Sequence, residues 1–397
     1  MTARKSRDAA RRGRWAVAAM FGVNGFVMGA WAPQIPLLLP RHQITESSLG
    51  LLILGLGLGA VGAMLFAGRL IARHGSRRVV IALGVMVIPV LPLVVHAPTL
   101  PLLALAMVAM GALVGCMDVA MNANAVEVER RLGRAIMSSS HGFWSLGGFA
   151  GGALGGLVLA WTSAGAQALA VAAISALVLA GAARFLITEM PGGAAANTDA
   201  APGVKPTLLP RSASLWILGA MALFCMVPQG AVLDWSALYL NQEMGTGLAL
   251  SGLPFAFFAG AMAVMRFAGD ALRNRFGAVA TLRLSGLAGA AGLMVAAIAP
   301  HEGVAIAGFA FSGLGVANMV PILFSAAGNH PGLSAGAGIA AVTMVGYFGI
   351  VIAPSTIGFV AEAVGFRAIY GSLALLLVVV TALAGRAAAA DGVTRPA

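Results

Sequence analysis

The sequence predicts an all-α membrane protein in which twelve transmembrane helices form two pseudo-symmetric six-helix bundles. Three observations carry that expectation. The composition leaves no polar skin, apolar runs of bilayer length follow one another along the chain, and glycine landmarks recur at a constant spacing between its two halves.

Of 397 residues, 60% are hydrophobic and 9% charged, too few charges to clothe a water-soluble globule of this size. Mean hydropathy is +0.94, so lipid is the expected solvent and the bilayer the first partner. The 53 glycines suit helices that associate by close backbone approach. The net charge of +11 sits in short basic clusters between apolar runs rather than on a foldable domain, which argues against nucleic acid. Cys116 and Cys225 fall inside apolar runs without a spacing partner, so neither a disulfide nor a metal site is expected. Arg11, Arg12 and Arg14 precede an apolar stretch, and Ala30-Trp31-Ala32 resembles a cleavage site. Pro33 follows directly and many spans come after, so the first run is read as a retained helix.

Runs able to cross about 30 Å of hydrocarbon lie at 15–39, 48–68, 79–95, 100–126, 138–161 and 165–187, then at 213–240, 248–268, 278–299, 303–326, 336–361 and 367–385. Between them, 188–212 carries Pro191, Pro202, Pro206 and Pro210 with little apolar content, the pattern of a linker. The expected organisation is a bundle at 1–187, a cytoplasmic linker at 188–212 and a second bundle at 213–397. With both termini cytoplasmic, 22 Lys and Arg residues fall on that side and only Arg41 and Arg367 on the other, as the positive-inside rule asks of an inner-membrane protein.

Phe66-Ala67-Gly68 ends the second run and Phe267-Ala268-Gly269 the eighth, each followed by a basic turn closing at Gly75 or Gly277. Gly111 and Gly313, Gly147 and Gly349, and Gly156 and Gly358 are each 202 residues apart. One spacing across several helix pairs argues for duplication. A six-plus-six parallel repeat leaves a midplane cavity between two halves able to rock, which is a transporter architecture.

The turn Gly68-Arg69-Leu70-Ile71-Ala72-Arg73-His74-Gly75-Ser76-Arg77-Arg78 resembles the helix 2–3 signature of the major facilitator superfamily, and Arg266-Phe267-Ala268-Gly269-Asp270 resembles its second-half copy. The resemblance covers essentially the whole chain and implies conformational-switch loops at Gly68, Arg73, Gly75 and Arg77, with Arg266, Gly269 and Asp270 in the second half. His141-Gly142-Phe143-Trp144-Ser145-Leu146-Gly147, Asp234-Trp235 and Gly346-Tyr347 look like the YbjJ-type branch of bacterial inner-membrane proteins. Two departures matter. Ala72 stands where the signature usually has Asp, so the acidic latch between helices 2 and 11 is missing from the first half. Helix 4 has no arginine and helix 5 no Gly-Pro pair, both typical of drug/proton antiporters.

Asp118 is the most informative acid, because a carboxylate well inside a lipid-length helix is kept only against a cavity, a partner or a proton path. Gly111, Gly115, Asp118 and Asn122 share one face by their spacing. Proton carriage and a permanent hydrogen bond to a neighbour are both open to Asp118. His141 shares a helix 5 face with Ser145, Gly148 and Gly152, and could relay protons, bind substrate or serve packing. Gln229 and Asp234 follow Pro228, which can break helix 7 and free backbone groups for a ligand. Asp234, nearer the outer surface, suits an outer gate or a helix pair equally well. Asn24, Asn318 and Tyr347 add polar groups to the expected pathway, although asparagine is also common interhelical glue. Asp270 with Arg266 and Arg273 reads as an interdomain charge cluster at the cytoplasmic end of helix 8.

Gly57-Leu58-Gly59-Ala60-Val61-Gly62 fits a dinucleotide fingerprint, but it lies within a helix rather than after a strand and reads as a packing face. No Walker loop, metal cluster or nucleophile elbow is present, so no cofactor and no enzymatic chemistry are expected. The expectation is a monomeric secondary transporter for a small organic solute, by proton-coupled symport or facilitated uptake, with proton-coupled efflux as the alternative. A non-transporting sensor or scaffold is the alternative of another class. With no arginine expected near the midplane, a dianionic substrate is disfavoured.

Overall fold

The computed structural model describes residues 2–133, 136–188, 212–330 and 335–393. Linker residues 189–211 and the side chain of Asp270 lie outside what is described. Among the described residues, eleven apolar helical segments are long enough to span a bilayer. The last of them, Ala335–Ala382, is two helices joined at Gly365, so the described chain carries twelve.

In the first half these are α1 (Asp8–His42), α2 (Glu46–His74), α3 (Ser76–His96), α4 (Leu100–Leu132), α5 (Met137–Trp161) and α6 (Ala164–Ala183). The second half has α7 (Ala213–Met244), α8 (Leu253–Phe276), α9 (Ala278–Ala297), α10 (Glu302–Gly328), α11 (335–364) and α12 (366–382). A 3-10 tail, Ala384–Val393, follows. Asp391 in that tail accepts the Ala278 N–H at 2.6 Å, so a carboxylate caps the otherwise unsatisfied first turn of α9.

Proline explains where the helices bend. A helical proline clashes with the carbonyl four residues back. The irregular turns at Ala32–Gln34 in α1, Ile88–Pro89 in α3 and Ala317–Asn318 in α10 each hold the residue four before Pro36, Pro92 or Pro321. Pro228, which could have broken its helix, does not: α7 runs unbroken from Ala213 to Met244.

The duplication is visible as repeated contacts. A Cβ on Gly111 of α4 would meet the Leu56 backbone of α2, and one on Gly313 of α10 would meet the Phe258 backbone of α8. Leu56 and Phe258 are themselves 202 residues apart. Gly147 packs α5 on α1 at Gly22, and Gly349 packs α11 on α7 at Leu223. The turns agree as well. Gly75 and Gly277, between α2 and α3 and between α8 and α9, have φ of +78° and +80°, a region open to glycine and strained for other residues. Of the fingerprint-like glycines, Gly59 packs on the Val108 backbone of α4, while Gly62 faces open space.

Candidate functional site

The two halves meet along α5 against α8 and α2 against α11. Gly142 faces the Phe267 ring, Gly148 the Phe255 ring and Ala259, and Gly152 the Gly252 carbonyl, so the α5 face predicted to carry His141 and Ser145 lies on the other half. Near the start of α2, Gly50 approaches Pro354 and Ser355 of α11, and Gly358 approaches Glu46. The Ser47 N–H donates to the Glu362 carboxylate at 2.8 Å, and Gln242 donates to Glu46 at 2.5 Å. This end, remote from the chain termini, is closed by paired backbones and two acids.

Asn24 ties the first half together around the site. Its amide donates to the Val114 carbonyl of α4 at 3.1 Å and its oxygen accepts the Trp144 indole N–H of α5 at 2.8 Å. Asp118 is one turn beyond Val114 and Ser145 is next to Trp144, so this residue sets the level of both. Asn318 acts alike in the second half, donating to the Met265 carbonyl beside Arg266 at 3.1 Å. Both asparagines are buried, and of the two roles open to them in the sequence the structure shows their amides engaged between helices.

Asp118 is partly exposed and makes no ion pair among the described residues. Asn122 folds its amide onto the Asp118 carbonyl at 2.8 Å. Tyr347 of α11 lies within electrostatic range of Asp118 from across the interface. Gln229 bonds back to Cys225 of its own helix at 3.1 Å. Asp234 is buried near Trp31 of α1, at the closed end and away from Asp118.

Arg266 belongs to this site rather than to a loop. Its Nη1 donates to Ser145 Oγ at 2.6 Å and to the His141 carbonyl at 3.2 Å. The His141 ring packs edge-on against Phe21, centroids 5.1 Å apart. Helix 8 runs to Phe276, eight residues beyond the expected end at 268, so Arg266 lies inside the helix and not at its end. Among the other switch residues, Arg73 is exposed and Gly68 has open space around it. Arg77 donates to Thr188 at 3.1 Å and to the Ala183 carbonyl at 3.4 Å, within its own half. Gly269 abuts the Asn318 amide.

Sequence reasoning missed the inward role of Arg266 and the cap formed by Glu362. The sequence held one signal for the first, since Arg266 falls within the apolar run 248–268 and ahead of the charges that follow it.

Two six-helix halves meeting around polar side chains define a polytopic membrane transport protein. The Major Facilitator Superfamily model matches residues 17–354, and the chain belongs to that family. It is 35% identical to an uncharacterized MFS-type transporter of Yersinia pestis over 92% of this chain and 93% of that one. It is 33% identical to an uncharacterized transporter of Sinorhizobium fredii, over 93% and 96%, and 32% identical to membrane protein MosC of Rhizobium meliloti, over 92% and 88%. Among solved structures, the nucleoside transporter NupG superposes with a TM-score of 0.72 at 13% identity, over 94% of this chain and 98% of that one. A D-xylose-proton symporter superposes at 0.70 and 14% identity, over 93% and 96%. At those identities the likeness is one of fold. The chain is thus a multi-pass secondary transporter with bacterial relatives, not an enzyme, and its substrate is a small molecule.

Proposed function

We propose that the chain is a proton-coupled symporter that brings a small organic solute across the bacterial inner membrane by alternating access, with Asp118 as the proton carrier. In this reading both termini and the 188–212 linker face the cytoplasm, the bundles are 1–187 and 213–397, and the unit is a monomer of the YbjJ-type branch. The observation that carries it is Asp118 itself. A carboxylic acid held partway along α4, beside an interface that must open and close, without a basic partner among the described residues, has the surroundings of a group that exchanges protons with whichever side is open. A D-xylose-proton symporter on the same fold is consistent with that chemistry.

The test is Asp118→Asn, which keeps size and most hydrogen bonding and removes the titratable proton. Reconstituted variant protein is expected to exchange solute across the membrane but not to accumulate it against a gradient. Before a solute is in hand, the pH dependence of the thermal midpoint should flatten in the variant. Undiminished accumulation with an unchanged pH profile would remove Asp118 from the mechanism. Solute-dependent export driven by an inward proton gradient would replace symport by efflux.

A further inference from the structure

We propose that the transported solute is a small organic monoanion whose carboxylate is bound by Arg266 where α5 meets α8. The inference rests on the transport reading and names its substrate class. Arg266 lies within the apolar span Leu248–Gly269, and in such a span a guanidinium is costly and is kept facing a partner or a cavity. Its two protein acceptors, Ser145 Oγ and the His141 carbonyl, are neutral and both engage Nη1. No carboxylate lies within ion-pair distance of it among the described residues.

Nε and Nη2 make no hydrogen bond among the described residues. Those nitrogens form one edge of the guanidinium, the edge that meets a carboxylate through two parallel N–H···O bonds. Among the described residues the His141 ring packs on Phe21 and its nitrogens make no hydrogen bond, which leaves them to the same ligand. One fixed cation balances one negative charge. A phosphate dianion would call for a second. Because Arg266 reaches from one half onto the other, an anion held there touches both, as a solute that couples their movement must. A proton carried on Asp118 together with this anion makes a neutral load.

The experiment is a thermal-shift titration of purified full-length protein with matched pairs: benzoate and benzamide, lactate and lactamide, gluconate and glucose, with simple amines added. Acids should stabilise the protein and their neutral partners should not. Arg266→Gln should weaken the acid's binding by about 30-fold or more, while Arg273→Gln, whose side chain bonds Ser325 and the Ala390 carbonyl, should leave it unchanged. If Arg266→Gln does not fold, Arg266→Lys keeps the charge, loses the two-pronged edge and should bind about tenfold more weakly. Stabilisation by neutral compounds or amines, no stabilisation by any acid, or unchanged affinity in the Arg266 variants would each overturn the proposal, the last leaving Arg266 as a strut. Counterflow of each stabilising compound in proteoliposomes separates the two readings. Exchange of a neutral hit sinks the anion inference alone, whereas absence of exchange for every hit sinks transport.

Discussion

A single methyl group tests whether the glycines set the distance between helices. A Cβ on Gly111 would lie 2.7 Å from the Leu56 carbonyl carbon and 3.0 Å from its Cα, about 1 Å inside ordinary carbon contact. All of these neighbours are backbone, so no side chain can swing away and α2 must move off α4. Overpacking of this kind costs about 1–3 kcal/mol, against a gain of up to about 1 kcal/mol from replacing glycine by alanine in a helix. Gly111→Ala should therefore destabilise the protein by up to about 2 kcal/mol. Gly62→Ala should be neutral or stabilising, because nothing lies within 4 Å of a Cβ there. Cys116 and Cys225 are both buried and free, so a fluorogenic maleimide reports unfolding without an added probe. Gly313→Ala, set against Phe258 as Gly111 is against Leu56, should match Gly111→Ala. The reasoning fails if Gly111→Ala melts no lower than wild type, or if Gly62→Ala falls as far.

The architecture was legible because lipid imposes it. Runs of bilayer length, basic clusters between them and glycine landmarks 202 residues apart each follow from a constraint on the whole helix, and a sequence carries such constraints plainly. The site was less legible, because its geometry depends on which side of a polar residue meets a neighbour. Asn24 and Asn318 look alike in sequence to cavity ligands, and their partners are carbonyls 90 and 53 residues distant. Arg266 was misplaced because it was read together with Asp270 and Arg273 as one charge cluster at the end of helix 8, although the backbone stays helical to Phe276. Pro228 misled in the other direction. The prolines that interrupt their helices are Pro36, Pro92 and Pro321.

Two further outcomes are expected. Single cysteines at His96 and Thr188, next to the ends of α3 and α6, should react with an impermeant maleimide from opposite sides of the membrane, His96 from the periplasm and Thr188 from the cytoplasm. The reversed pattern would invert the orientation drawn from the 22 to 2 charge split. The last concerns the closed end. Ala72 denies helices 2 and 11 the usual acidic latch, yet the same helix pair is joined at its other end, where Glu362 of α11 accepts the Ser47 N–H in the first turn of α2. A carboxylate there meets an unsatisfied amide and the positive end of the helix dipole together, and both partners must return to water when the halves part. Neutralising it as Glu362→Gln should weaken the closed state without touching the Asp118 and Arg266 site. Ile53, six residues deeper on α2 than Ser47 and buried, supplies the probe: an Ile53→Cys thiol should label severalfold faster from the side remote from the termini once Glu362 is changed. Glu302, in the first turn of α10 at the same end, is the control, since Glu302→Gln removes equal charge without crossing the interface. Equal labelling in both backgrounds would mean that the paired glycine backbones close this end by themselves and that the Glu362 contact merely accompanies their closure.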